Sequence, residues 1–227
     1  LSIIDQCPSI LSLGKAIEIE KIISTLKTKD VSLSIIEQCP SILAYGKASE
    51  IEKIISTIKT NDIPLSIIEQ CPTILARGKA IEIEKIISTI KTKGISLSII
   101  EQCPTILVQG KASEIEKIIL TIKNKGIDLS IIEQCPSILA QGKAIEIEKI
   151  ISTLKTEGIP LSIIEQCPTI LVQSKAIKIE KIISTIKNNG IHLSIIDQCP
   201  SILSFGKAIE IEKIILTIKN KGIDLSI

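Results

Sequence analysis

The chain has 227 residues, a net charge of +2 and 44% hydrophobic residues, of which hardly any are aromatic. So little aromatic content excludes a core built on large rings, and charges interrupt every apolar run before it could cross a bilayer, so no membrane span is expected. A charge this near zero says nothing of a partner; only its arrangement can.

The sequence that begins Leu1-Ser2-Ile3-Ile4 restarts at Leu33, Leu65, Leu97, Leu129, Leu161 and Leu193, with no insertion or deletion. The seven repeats are 1–32, 33–64, 65–96, 97–128, 129–160, 161–192 and 193–224, and 225–227 start a further one. A tandem array of this period predicts a single all-α domain, a right-handed α-solenoid in which each repeat packs on its neighbours. Neither end reads as a polar capping repeat, so the chain is expected to be an excerpt of a longer array, with any targeting segment outside it.

Within a repeat the elements follow in order. In the second, Ser34 with Glu37 three residues later reads as a capping box that opens a short helix carrying Ile35, Ile36 and Cys39. Pro40 ends that helix, since the residue before a proline avoids helical geometry, and starts another turn with Ile42 and Leu43. Ile17-Glu18-Ile19-Glu20 alternates like a strand, but Ala48, Ile51, Ile54, Ile55 and Ile58 recur at helical spacing, which predicts a longer helix over 47–61. Gly94 followed by Ile95 is a helix stop with its apolar contact; Asp30 and Asp62 hold the same place in two repeats and tolerate the left-handed conformation.

Each repeat holds one cysteine: Cys7, Cys39, Cys71, Cys103, Cys135, Cys167 and Cys199. Neighbouring helices lie roughly 10 Å apart, beyond the ~7 Å Cα limit of a disulfide. With no companion ligand in the repeat, a metal site is not expected either; the cysteines read as small buried apolar residues in a reducing, intracellular compartment.

Diversity is concentrated at repeat position 13: Leu13, Tyr45, Arg77, Gln109, Gln141, Gln173 and Phe205, which include the only tyrosine, arginine and phenylalanine of the chain. Position 14 is Gly14, Gly46, Gly78, Gly110, Gly142 or Gly206, and Ser174 in the sixth repeat; these read as N-caps, which puts position 13 on an exposed tight turn. Lys15, Lys47, Lys79, Lys111, Lys143, Lys175 and Lys207 follow, in a first turn where a cation opposes the helix dipole. An anion would reverse that sign by drawing amides and lysine together, so positions 14 and 15 are expected to bind phosphate, with Lys178 adding charge to the same edge. Position 13 suits base reading, since arginine pairs with guanine, glutamine with adenine, and apolar groups meet the thymine methyl. Position 12 stays small, as a close backbone approach requires.

The stretch Gly94 to Leu107, with Pro104, Ile106, Leu107, Gly126 and Ile127, resembles the repeat of the mitochondrial transcription termination factor family in all seven repeats. That resemblance implies a curved α-solenoid that binds nucleic acid, often duplex DNA. The repeats here are near-identical where that family's are degenerate, and in this they are similar to TAL effectors. Gln141-Gly142-Lys143-Ala144 stands where those arrays place a variable turn followed by Gly-Lys. The likeness implies that position 13 enters the major groove, one repeat per base, while Gly-Lys holds the backbone; the repeat length and first helix differ.

The expected function is therefore modular, sequence-specific binding of duplex DNA, with no cofactor and no small-molecule substrate. A protein-interaction solenoid and a single-stranded RNA reader, with Tyr45 and Phe205 stacking on bases, are the alternatives the residues leave open. No acid, base or nucleophile constellation supports an enzyme; the single His192 sits in a turn position otherwise held by Ser, Pro or Asp.

Overall fold

The computed structural model describes residues 2–223; the start of a further repeat at 225–227 lies outside the described residues. Every regular element among them is an α-helix, and the helices recur in threes. In the second repeat they are Ser34–Gln38, Ser41–Tyr45 and Ala48–Thr60. Cys39 breaks the first two apart (φ −141°, ψ 72°), which is the conformation Pro40 imposes on the residue before it. The long helix stops where Asp30, Asp62, Gly94, Gly126, Gly158, Gly190 and Gly222 take a positive φ. At Gly94 the Ile95 amide reaches back to the Ile90 carbonyl (3.1 Å), closing the stop as its apolar contact requires.

The chain divides into two compact segments, Leu1–Glu116 and Lys117–Ile227. In the first, long helix Ala16–Thr28 packs on Ala48–Thr60, and that on Ala80–Thr92. The second short helices Ser9–Leu13, Ser41–Tyr45, Thr73–Arg77 and Ile106–Gln109 pack in the same succession. In the second segment the long helices Ala144–Thr156, Ala176–Asn188 and Ala208–Asn220 and the short helices Ser137–Gln141, Ile170–Gln173 and Ser201–Phe205 repeat the pattern. Isoleucine fills the space between the rows. Ile51, Ile54, Ile55 and Ile58 are fully buried, as are Ile35 and Ile42. Each such side chain contributes roughly 1.5–3 kcal/mol.

Polar bonds set the step between neighbours. The Glu18 carboxylate accepts the Ala48 amide of the next repeat (2.7 Å), and Glu50, Glu82 and Glu146 do the same for Ala80 (2.6 Å), Ala112 (2.8 Å) and Ala176 (2.7 Å). At the far end of the long helix, Lys29, Lys93 and Lys125 pair with Glu52, Glu116 and Glu148 of the following repeat at 2.8–3.0 Å.

Among the described residues the expected capping box forms only at Ser2, whose hydroxyl accepts the Asp5 amide (3.2 Å) while the Asp5 carboxylate accepts the Ser2 amide (3.0 Å). In later repeats the short helix begins at the serine itself, and in four of them position 32 of the preceding repeat supplies an acceptor, whereas Pro64 and Pro160 hold that place before the other two. Ser32, Ser96, Asp128 and His192 accept the amides of Ser34, Ser98, Ser130 and Ser194 at 2.7–3.2 Å. What reads as a variable solvent turn is thus a helix cap, and His192 serves it through Nδ1.

Two expectations follow. Glu82→Ala leaves the Ala112 amide without its carboxylate and should lower stability by about 1 kcal/mol, a usual cost for a lost N-terminal cap, read as a shift in urea midpoint. An unchanged midpoint would show that the bond does not hold the step. The second concerns Asp128, whose bonds from the Ser130 side chain and amide hold its carboxyl below the usual carboxylate value. A lowered folded value means that its stabilisation is present above the unfolded pKa and is lost as pH falls through the folded one. The difference in urea midpoint between parent and Asp128→Ala should therefore be larger near neutrality and shrink as pH falls through the folded pKa; a difference that does not change with pH would rule out the ionised acceptor.

Candidate nucleic-acid interface

Leu13, Tyr45, Arg77, Gln109, Gln141, Gln173 and Phe205 are each the last residue of a second short helix, and all are exposed. Leu13, Tyr45 and Phe205 keep 53, 54 and 65% of their surface open to solvent. The sequence reading placed them on a turn before an N-cap; the structure shifts the cap by one residue. Gly14, Gly46, Gly78, Gly110 and Gly142 close the short helix as its C-cap in extended backbone, and Lys15, Lys47, Lys79 and Lys143 are the N-caps of the long helix.

The glycines are demanded by that turn. A Cβ at Gly14, Gly46, Gly78, Gly142 or Gly206 would run into the carbonyl oxygen of Ile10, Ile42, Ile74, Ile138 or Ile202. Those same carbonyls accept the glycine amides at 2.9 Å, and Gly110 donates to Ile106 at 3.0 Å. The glycine amides are thus committed within the turn, and an anion would have to be held by the lysines. Ser174 adopts φ −117°, is buried, and donates its hydroxyl to the Leu203 carbonyl (2.7 Å) rather than to a helix end.

Nor are the first amides free in four of the long helices, as the sequence suggested: Ala48, Ala80, Ala112 and Ala176 are bonded to the carboxylates already described. In those helices a lysine is tolerated beside the positive helix end because the preceding repeat brings an acid to it. The lysine heads themselves are exposed, and among the described residues Lys15, Lys47, Lys79, Lys111, Lys143, Lys175 and Lys207 have no bonded side-chain partner. Lys178, in the glutamate's place, donates to the Ser204 carbonyl, so its charge is spent on the next repeat and does not extend the lysine row.

Successive repeats in the first segment enclose open clefts at this edge. Leu13, Tyr45, Lys15 and Lys47 line one of about 310 Å³; Tyr45, Arg77, Lys47 and Lys79 line the next, of about 450 Å³. Sequence reasoning missed a third contributor, repeat position 17. Ser49 lines the first cleft and Ile81 the second, and isoleucine at this position is exposed wherever it occurs. Its signal was the strand-like Ile-Glu-Ile-Glu, in which Ile19 follows the helical core spacing and Ile17 does not.

The cysteines are less buried than expected. Cys71 is buried and Cys199 exposed; the others are half-buried, all are unpaired, and each lies with Sγ 3.1–3.4 Å from the hydroxyl two residues on. Among the described residues no three His, Cys, Asp or Glu side chains are grouped to hold a metal ion, and no helix is long and apolar enough to cross a membrane. Comparison with known protein families, curated proteins and solved structures gives no match.

Proposed function

We propose that the chain is a modular, sequence-specific duplex-DNA-binding array, a right-handed α-solenoid with one repeat per base, built in the manner of the families it resembles. The observation that carries this reading is the edge itself. Seven frames of nearly constant sequence each present one exposed side chain at position 13, drawn from five residue types, next to an exposed lysine that has no bonded side-chain partner among the described residues. Large apolar and cationic groups held at a rigid helix end suit base edges, and lysines two residues on suit the phosphates beside them. The exposed apolar residues also favour a second reading, a partner protein on the same edge.

The deciding experiment is selection from a random duplex library by the full chain at stated salt. The run Gln109, Gln141, Gln173 should select three successive identical bases, adenine first, with guanine beside them for Arg77. Gln141→Arg should alter preference at a single base by roughly 1–3 kcal/mol. A flat profile removes the DNA reading, and loss of affinity for every sequence alike upon Gln141→Arg gives the lead to the partner protein.

Salt isolates the lysines. Replacing Lys47, Lys79 and Lys111 together by alanine should weaken all sequences equally and flatten the slope of log affinity against log salt by up to about 2.7, at about 0.9 for each phosphate contact. An unchanged slope would make the row a solvated face.

A further inference from the structure

Repeat position 17 is the second residue of each long helix. Ile17, Ile81, Ile145, Ile177 and Ile209 expose 70, 64, 66, 60 and 71% of their surface there, and the exposed Ser49 and Ser113 hold the other two places. Ile81, Ile145 and Ile177 have repeats on both sides in sequence, so their exposure is not an effect of the array's ends. A β-branched residue in the first turn of a helix adds nothing by propensity, and at this exposure nothing by packing.

What it adds is a wall to the clefts. Ile81 lies beside Tyr45, Arg77, Lys47 and Lys79, and Ser49 beside Leu13, Tyr45, Lys15 and Lys47. In the second segment Ile177 and Ile209 line a largely apolar cleft of about 510 Å³ with Lys178, Lys181 and Lys207. Position 17 therefore meets position 13 and the lysine row at Ser49 and Ile81, and meets Lys207 of that row at Ile177 and Ile209, along the edge assigned above to base reading. Its alternation between a methyl-rich and a hydroxyl side chain, in frames otherwise almost constant, is a change of recognition chemistry.

We propose that position 17 is a second specificity-determining residue, in which isoleucine takes the C5-methyl of a thymine and serine leaves that methyl unread. This rests on the duplex-reading function proposed above. An A·T pair presents adenine N7 and N6 together with thymine O4 and its methyl in the major groove. Glutamine at position 13 takes the adenine edge, and the methyl of the paired thymine remains for an apolar neighbour. The three glutamine repeats are then not equivalent: Gln141 with Ile145 and Gln173 with Ile177 read both halves of the pair, whereas Gln109 with Ser113 reads adenine alone.

The test uses the full chain and the duplex it selects, with deoxyuridine replacing thymidine one site at a time, so that only the methyl is removed. Gln141→Arg identifies the base pair read by the fifth repeat. Deoxyuridine in that pair should weaken binding roughly fourfold, the worth of about 0.8 kcal/mol for one methyl taken out of water. Ile145→Ser should abolish that sensitivity, and Ser113→Ile should create one at the fourth repeat's pair. Both variants place at position 17 a residue that other repeats carry there, and thermal unfolding checks that the fold is kept. A selective parent profile with no deoxyuridine effect, with the same effect in Ile145→Ser, or with G·C at the fifth repeat's pair overturns this inference while base reading by position 13 stands. A flat parent profile overturns both.

Discussion

One bond organises the rest: at four junctions a glutamate near the start of one long helix accepts the first amide of the next, as Glu18 does for Ala48. Isoleucine contacts are non-directional and would tolerate sliding between neighbouring helices. A carboxylate on a helix N-terminus does not, because it is both a charge-assisted hydrogen bond and a favourable meeting with the helix dipole. It fixes rise and rotation from one repeat to the next at the edge where positions 13, 15 and 17 emerge. That is why the variable side chains are held on a firm base although each begins where a short helix ends.

The same bond tempers the electrostatics. Lys47, Lys79, Lys111 and Lys175 each stand next to an amide that holds a carboxylate from the preceding repeat, which tempers the basic character of the row, in keeping with a net charge of +2. On the proposed reading, backbone attraction is modest, and a larger share of binding free energy falls to the side chains that differ among repeats. Such a balance favours discrimination over tight indiscriminate attachment.

Much of the fold was legible because its signals are local. Pro40 shapes Cys39, the isoleucine spacing makes the long helix, and Gly94 or Asp62 ends it, all within a few residues. The joints were not legible, since Glu18 and Ala48 are 30 residues apart and both occur in nearly every repeat, leaving no variation to betray their pairing. Position 32 misled for the opposite reason. Serine, aspartate and histidine differ as residues yet all offer one acceptor atom to the same amide, so chemical constancy hid behind changing identity. At position 14 the glycine was rightly singled out but given the wrong role, because a glycine that ends one helix and a glycine that begins the next look alike in sequence when one residue separates the two.

The glutamate–amide joints and the position-32 caps are asymmetric: a side chain on one repeat addresses a main-chain atom on the next. The departure in the sixth repeat keeps the rule, since Ser174 and Lys178 bond to the carbonyls of Leu203 and Ser204. Main-chain atoms are the same whatever residue bears them, so any repeat can follow any other at these joints without mismatch. Duplication, loss or shuffling of repeats by recombination therefore leaves these main-chain joints intact, and the order of the exposed residues can be rewritten like text while its frame stays constant.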